Sequence, residues 1–347
     1  MNILAIDTSC DETSVAITNQ QKVISNVLFS QSKLHNQYGG VYPSLAKREH
    51  LINIKPAINL ALKRAHLNFK QIKALAITFG PGLAPALEVG ISATKELSQK
   101  YNLPVIPVDH IEGHIYSVFA TNQNNLPNRQ FRFPILAFVI SGGHTELILL
   151  KDHINYQIVG STLDDAAGEA LDKAARVLGL GYPGGPIIEN LAKLGDPTKY
   201  ILPIPMIKHK TLDFSYSGLK TAFKRVVYSL KEAEKLKELS NLAASFQQAV
   251  FKSLLLKLEK AVLLYQPKLV TVSGGVSDNK QLRKQTRALL KSIAPVYFTA
   301  LKNLTTDNAA MIGVAAFFKY QKGIVLKNPQ KLERIPRANL DFYVKKA

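Results

Sequence analysis

The sequence predicts an α/β protein of two similar units, a duplicated two-lobed fold. Three observations predict it. Alternating strand and helix patterns run from the N-terminus to about residue 119 and restart at Phe133. A strand followed by Ser-Gly-Gly recurs, at Ser141-Gly142-Gly143 and at Ser273-Gly274-Gly275, and is read as marking each unit. A chain of 347 residues, 46% of them hydrophobic, has the length of two domains and enough apolar side chains for a large core.

Ile3 to Asp7 and Ser14 to Thr18 read as strands joined by the polar turn Thr8-Ser9-Cys10-Asp11-Glu12-Thr13, with a third strand near Val23 to Phe29. Turns rich in hydroxyls with free N–H groups suit phosphate oxygens, and a plain hairpin turn makes the same pattern. After Tyr38-Gly39-Gly40-Val41-Tyr42-Pro43, a helix is expected from Ser44 to Ala65, because Leu51, Ile54, Ile58 and Leu62 repeat at helical spacing. Ile72 to Thr78 is a buried strand that Gly80-Pro81-Gly82-Leu83 breaks before a helix through Leu97, and Val105 to Val108 is the next strand. The first lobe is thus about 1–119, and the polar run Thr121 to Asn128 is a candidate linker or lobe-edge loop.

In the second unit Phe133 to Ile140, Thr145 to Leu150 and Tyr156 to Gly160 are strands, and Asp164 to Glu169 opens a helix with the apolar face Leu171, Ala174, Ala175 and Leu178. On its other face Asp172 and Arg176 stand at i, i+4, so an exposed ion pair is one reading of Asp172. Residues 179–240 interrupt the unit as a helical insertion that ends in a charged helix around Lys231 to Glu238. A separate helix from Leu242 to Tyr265, a strand from Leu269 to Ser273 and a helix from Lys280 to Ser292 complete a lobe of 133–306. The last helix, starting at Asp307 and ending near residue 320, is expected to pack back on the first lobe, and 321–347 forms a basic tail. A duplication of this kind with a nucleotide cleft between lobes is that of the actin, Hsp70 and sugar-kinase group, the ASKHA or RNase H-like fold. Glycines at 142–143 and 274–275, lacking Cβ, let backbone amides approach phosphate or adenine closely.

A formal net charge of +19, from 44 Lys and Arg against 25 Asp and Glu, points to a polyanionic partner such as RNA or DNA. Scattered lysine drift is the competing reading. The densest basic runs are Lys319, Lys322, Lys327, Lys331, Arg334, Arg337, Lys345 and Lys346, facing only Glu333 and Asp341, and then Lys208, Lys210, Lys220, Lys224 and Arg225. No segment reaches the ~18 apolar residues of a membrane span, the opening residues carry no basic targeting region, and the single Cys10 excludes an intrachain disulfide. A cytoplasmic protein is expected, with Cys10 a small residue in a tight turn.

His110-Ile111-Glu112-Gly113-His114 follows a strand directly. If it is helical, the two imidazoles share a face with Cβ atoms about 5–6 Å apart, from which both reach one metal ion at roughly 2.0–2.1 Å. Thr305-Thr306-Asp307-Asn308 offers a third ligand at a helix start. Two neutral imidazoles and a carboxylate leave open positions for water or substrate, as catalytic zinc and non-haem iron sites do. Two ordinary surface histidines make the same spacing. A zinc protease would need Glu directly after the first His, where this chain has Ile111.

These stretches together resemble the bacterial TsaD (YgjD/Gcp) family of tRNA N6-adenosine threonylcarbamoyltransferases nearly end to end. The resemblance is carried by Asp7 to Thr13, Tyr38-Gly39-Gly40-Val41, Gly80-Pro81-Gly82-Leu83, His110 to His114, Val139 to Thr145, Asp164 to Ala170, Tyr182 to Pro186, Ser217 to Thr221, Ser273 to Val276 and Thr306-Asp307-Asn308. It implies that His110, His114 and Asp307 bind one Fe(2+) or Zn(2+), and that Val139, Ile140, Ser141, Gly142, Gly143, Asp172, Gly185 and Asn279 hold threonylcarbamoyl-AMP. It implies transfer of the threonylcarbamoyl group to the N6 amine of the adenosine next to the anticodon (position 37) in tRNAs reading codons that begin with A, forming t6A. Partners implied are tRNA, a TsaB-like paralogue, a TsaE-like ATPase and a TsaC-type adenylate-forming enzyme. No residue declares itself as general base, and Asp11 and Glu12 are the candidates. The sequence departs from the family pattern at Asp109, where close relatives often carry a second adjacent histidine, at Glu189, where many have Asp, and at Asp7, where some have Glu. Two other functions are compatible with parts of the pattern: an actin-like or Hsp70-like ATP switch, which has no use for the histidine pair, and a metalloprotease.

Overall fold

Strand-forming Ile, Val and Ala at the start of the chain set up the first of two five-stranded mixed sheets in the computed structural model, which describes residues 1–301, 304–326, 328–338 and 340. β1 (Asn2–Asp7), β2 (Glu12–Asn19) and β3 (Lys22–Ser30) form the expected antiparallel meander, with Asp7 opposite Ser14. β4 (Ala74–Gly80) and β5 (Val105–Asp109) join in parallel, giving the order β3-β2-β1-β4-β5. Between them lie α1 (Ser32–His35), α2 (Pro43–Ala65) and α3 (Ala84–Tyr101), and α4 (His110–Tyr116) follows β5. The strands are apolar on both faces because both are covered. Leu4, Ile6, Val15 and Ile17 share one core with Ile54 and Ile58 of α2 and Leu87 of α3.

The opposite face carries the last helix, α10 (Ala309–Gln321). Its Gly313 sits against Thr18, where a Cβ would fall 2.6 Å from Oγ1, so only glycine lets helix and sheet close to this distance.

The second sheet has the order β10-β9-β6-β7-β8, built from β6 (Ile135–Ile140), β7 (Thr145–Asp152), β8 (Asn155–Ser161), β9 (Leu269–Ser273) and β10 (Val296–Phe298). β6 and β9 run parallel with Val139 opposite Ser273. The helices of this part are α5 (Ala167–Val177), α6 (Gly184–Ala192), α7 (Ser217–Ser229), α8 (Glu232–Tyr265) and α9 (Lys280–Leu290). The chain divides into two compact units, one of residues 1–131, 152–156 and the described residues from 298 onward, the other of 132–151 and 157–297.

Several expectations are corrected. Both Ser-Gly-Gly turns lie in the second unit, at the carboxyl ends of neighbouring strands β6 and β9, rather than one in each. The helices expected at 231–238 and 242–265 are one helix, α8, since no Gly or Pro interrupts 232–265. What changes near Leu242 is burial, not conformation. Asp307 precedes α10 rather than starting it, and Asn308 is the N-cap. Lys319 is 1% exposed and pairs with Glu112, while Lys322 pairs with Asp152 and Arg334 with Glu88, so the basic run near the C-terminus is partly neutralised. Lys327, Asp341, Lys345 and Lys346 lie outside the described residues. Among the described residues no helix is long and apolar enough to cross a membrane.

Candidate metal centre and substrate site

β5 runs directly into α4, and an acidic capping box fixes the junction. The Asp109 carboxylate accepts from Ile111 N at 2.7 Å, and Glu112 Oε2 accepts from Asp109 N at 2.9 Å. Glu112 Oε2 also accepts from buried Lys319 Nζ of α10 at 2.7 Å. A D-x-x-E spacing before a helix is legible in the sequence as a cap, whereas the Lys319 partner, about 200 residues away, is not. Gly113 faces α10 so closely that a Cβ would lie 2.7 Å from Ile312 Cδ1. The clamp and the glycine together set how α4 presents His110 and His114 beside the start of α10.

That start is fixed as well. Asn308 accepts from Met311 N at 3.0 Å and donates to Thr306 O at 2.7 Å, and Ala309 N donates to Ser14 Oγ of β2 at 2.8 Å. Asp307 is thereby held with Oδ1 3.4 Å from His110 Nε2 and 3.3 Å from His114 Nε2. The ligating atoms of the three residues lie within 4.8 Å of one another. Two ligands bonded tetrahedrally to one ion at about 2.0–2.1 Å stand about 3.3–3.4 Å apart, which matches both carboxylate–imidazole separations.

The donor chemistry also fits a metal. His114 is fully buried, its ring nitrogens make no aligned hydrogen bond, and burial holds it in the neutral, ligating form below the usual imidazole range. Burial pushes His110 the same way, but Asp307, Asp7 and Asp109 outweigh it and raise His110 to about 9. A metal ion must therefore displace a proton from His110. Asp7, buried at the end of β1, stands with Oδ2 3.9 Å from His110 Nδ1, the placement of a carboxylate that orients a ligand histidine. The carboxylates nearest the pair in sequence, Asp109 and Glu112, are both engaged in the capping box, and Glu112 is held by Lys319 as well, so neither stands as a free protease-type base.

The Asp11 and Glu12 candidates fall near this centre. Burial first, then the charges of Asp11, Asp307 and Asp7, raises the Glu12 carboxyl above the usual carboxylate range. The Cys10 thiol is likewise pushed up by burial and then by Asp11, Asp307 and Glu12, which disfavours the thiolate a nucleophile would need.

The second set gathers at the carboxyl ends of β6 and β9, where α/β sheets bind ligands. The side chains of Val139 and Ile140 are fully buried in β6, so they offer a ligand only backbone. Ser141 closes the turn, its N donating to His144 O at 2.8 Å and its Oγ accepting from His144 N at 3.1 Å. A Cβ on Gly142, Gly143 or Gly185 would meet nothing within 4 Å, so the fold's own packing does not demand these glycines, and the space above them is open. Gly184 is different: a Cβ there would lie 2.5 Å from Ala175.

Asp172 Oδ1 accepts from Gly184 N at 2.8 Å and Gly185 N at 3.0 Å, so it caps α6 rather than lying on an open helix face. Burial raises its carboxyl despite those two hydrogen bonds and Arg176. Asn279 Oδ1 caps α9 through Gln281 N and Leu282 N, and its amide donates to Gln247 Oε1 at 2.9 Å. Glu189, set aside in the sequence, accepts from Lys280 N at 3.1 Å and so ties α6 to α9 beside Asn279.

Comparison with known proteins bears on what such a pair of sites belongs to. The family profile described as "TsaD: tRNA N6-adenosine threonylcarbamoyltransferase" matches residues 22–314. Proteins of that name from Thermosipho africanus, Nostoc punctiforme and Staphylococcus carnosus are 42%, 46% and 42% identical to this chain, over 98%, 90% and 93% of it and 100%, 90% and 92% of their own lengths. Among solved structures, HypF from T. kodakarensis superposes with a TM-score of 0.59 at 12% identity, over 93% of this chain and 48% of its own. The ROK hexokinase of Thermus thermophilus superposes with a TM-score of 0.50 at 13% identity, over 93% and 99%. At such identities these two speak for the ASKHA-type α/β fold alone. The full-length relatives go further, and the chain belongs to the TsaD family of tRNA N6-adenosine threonylcarbamoyltransferases.

Proposed function

We propose that this chain transfers the threonylcarbamoyl group of threonylcarbamoyl-AMP to the N6 amine of the adenosine beside the anticodon, making t6A in tRNA. The observation that carries the reading is identity to enzymes of that name along nearly the whole chain. The N6 nitrogen attacks the carbamoyl carbon, the carbon–oxygen bond to phosphate breaks, AMP leaves with the electron pair, and the amine loses one proton.

His110, His114 and Asp307 would hold Fe(2+) or Zn(2+), which when bound supplies a Lewis acid and a template. Backbone N–H groups of Gly142 and Gly143, beneath open space, would bind the adenylate and face developing negative charge. Asp172, with Gly185, would accept from the adenylate's hydroxyls, and Asn279 would use its remaining amide hydrogen. The anticodon loop is single stranded, so its adenosine enters a pocket without a duplex being melted.

Partners in this reading are a TsaB-like paralogue, a TsaE-like ATPase and a TsaC-type enzyme that supplies the adenylate, all cytoplasmic. The test is an assay with tRNA transcript, radiolabelled threonine, bicarbonate, ATP and the adenylate-forming enzyme, with the other partners present or omitted. Label in tRNA that depends on this chain is expected. Unlabelled tRNA with every partner present would overturn the reading.

A further inference from the structure

Tyr38-Gly39-Gly40-Val41-Tyr42 is a stretch that no step above uses. It links α1 to α2, reversing through Gly39 at a φ of 63°, a conformation glycine adopts without strain. Tyr38 and Tyr42 stack on each other with ring centroids 5.2 Å apart and planes 18° apart, while remaining 55% and 51% exposed. Two large rings are thus held nearly parallel, each about half exposed to solvent.

The stack is anchored from beneath by a buried polar chain. Tyr42 N donates to His35 Nδ1 at 3.2 Å, so His35 carries its hydrogen on Nε2 and donates to Gln31 Oε1 at 3.1 Å. Gln31 Nε2 approaches His50 Nδ1 at 3.4 Å, which Thr13 Oγ1 also meets at 2.7 Å, and His50 Nε2 donates to the Cys10 carbonyl at 3.0 Å. His35 and His50 are fully buried and Gln31 nearly so. The single lone pair of His50 Nδ1 goes to Thr13 Oγ1 at the shorter distance, and Gln31 Nε2 also meets Ala46 O at 3.4 Å, so the buried chain ties α1 to α2 and to the turn after β1. It ends on the Cys10 carbonyl, in the turn between β1 and β2 that leads to Asp11 and Glu12.

Charge says what would land there. From Thr13 to Arg48 the chain has no acidic residue, and Lys33, Lys47 and Arg48, on either side of the pair in sequence, are exposed, Arg48 with Glu49 at 3.5 Å. Exposed amides of Asn36 and Gln37 adjoin Tyr38. Flat rings flanked by cations and amides are the chemistry that takes unpaired nucleobases: bases stack on aromatic side chains while cations meet the phosphates on either side. We propose that the Tyr38–Tyr42 stack is the platform on which an unpaired base of the RNA substrate lies, with Lys33, Lys47 and Arg48 on the adjoining phosphates. The proposal rests on the tRNA-transferase reading and adds to it the surface that receives the loop.

The test compares the wild-type chain with Tyr38→Ala, Tyr42→Ala, Tyr38→Phe and Tyr42→Phe for affinity to an anticodon stem-loop RNA and to a duplex RNA without unpaired bases. The alanine variants should bind the stem-loop about tenfold more weakly, within the range that one base–aromatic stack contributes, and the duplex as wild type does. The phenylalanine variants should bind like wild type, because the ring and not the hydroxyl is required. Thermal stability and metal content should be unchanged, and in the transfer assay with partners Tyr42→Ala should raise KM for tRNA and leave KM for the adenylate alone. Alanine variants with wild-type affinity for the stem-loop would overturn the proposal. So would equal losses on stem-loop and duplex, or loss of the TsaB-like paralogue with RNA affinity intact, which would make the stack a protein interface. A wild-type chain that labels no tRNA with all partners present overturns the transferase reading itself, whereas a labelling wild type with indifferent alanine variants overturns this proposal alone.

Discussion

A carboxylate aimed at two buried imidazoles, one of them neutral and without an aligned hydrogen bond, is an arrangement that a shared cation stabilises. Asp307→Ala removes the third donor while leaving the Asn308 cap and the Ser14 anchor of α10 untouched. Bound iron or zinc and transfer activity should fall together, with the melting temperature little changed, and metal analysis showing a full complement in the variant would dismiss the triad. Asp172 separates a structural role from a binding role. If it only caps α6, Asp172→Asn keeps an acceptor for Gly184 N and Gly185 N and loses about 0.3–1 kcal/mol of helix-terminus electrostatics. If it also meets the adenylate, losing a charged hydrogen bond worth roughly 1.5–3 kcal/mol weakens an adenylate analogue tenfold or more. We expect the second outcome, read as affinity and thermal stability on one preparation. Glu146 on β7 gives a test by pH. Burial raises its carboxyl to about 7, and Oε2 is buried without a hydrogen-bond partner. Between the ordinary carboxylate range and about pH 7 the folded chain holds a proton there that the unfolded chain has released, so stability falls as pH rises through that window and is level above it. Glu146→Gln should therefore be about 2–3 kcal/mol more stable than wild type at pH 8 and equal to it near pH 4; equal denaturant midpoints at pH 8 would show that the carboxylate is solvated.

At the scale of elements, the two Ser-Gly-Gly turns look alike in sequence and differ in physical demand. Gly274 has a φ of 87°, and a Cβ there would lie 2.4 Å from Ile140 O, so Gly274→Ala should cost stability, about 1–3 kcal/mol for the strained backbone alone. Gly142 has open space above it, so Gly142→Ala should leave the melting temperature within error and weaken adenylate binding; the reverse pattern would mean that Gly142 is structural. Spacing alone cannot tell these glycines apart, because the difference lies in what the neighbouring strand brings near. The same reason decides what else was legible. The meander and the strands β4, β5, β6 and β9 follow from local periodicity and turn residues and appear where expected, while their parallel pairing and the helical state of His110–His114 are settled by the fold. The continuity of α8 was hidden because its first turns are exposed and charged while its later ones are buried, a change of environment that imitates a helix boundary. The three-residue β10 is too short to leave a period. Of the site, the His110–His114 pair is readable as a helical spacing, but Asp307 becomes a partner only through the packing of α10 on β1 and β2. Lys319 reads as surface charge and is instead the buried clamp on the histidine-bearing helix.

For the molecule as a whole, the +19 charge is not spread freely over its surface. Lys319, Lys322, Arg334, Lys173 and Lys220 are all engaged by carboxylates. The exposed cations without such engagement that bear on RNA binding include Lys33 and Lys47 in one unit and Lys208, Lys210, Lys224 and Arg225 in the other. If tRNA affinity is dominated by phosphates, log K should fall linearly with log salt, and six or more phosphate contacts would lower affinity by about a thousandfold between roughly 50 and 200 mM salt. The two kinds of lysine then make opposite forecasts. Lys224→Glu with Arg225→Glu should weaken tRNA binding at low salt and flatten the salt slope by about one to two units, since each lost contact removes roughly 0.7–0.9 of a released counterion. Lys319→Met should leave the slope alone and act on stability and metal content, because breaking a buried pair costs about 3–5 kcal/mol through the stranded Glu112. Binding measured at four or five salt concentrations decides it. A wild-type affinity that barely moves with salt would mean that base and shape contacts, not the phosphate backbone, carry recognition, and the high net charge would then be composition without a role in binding.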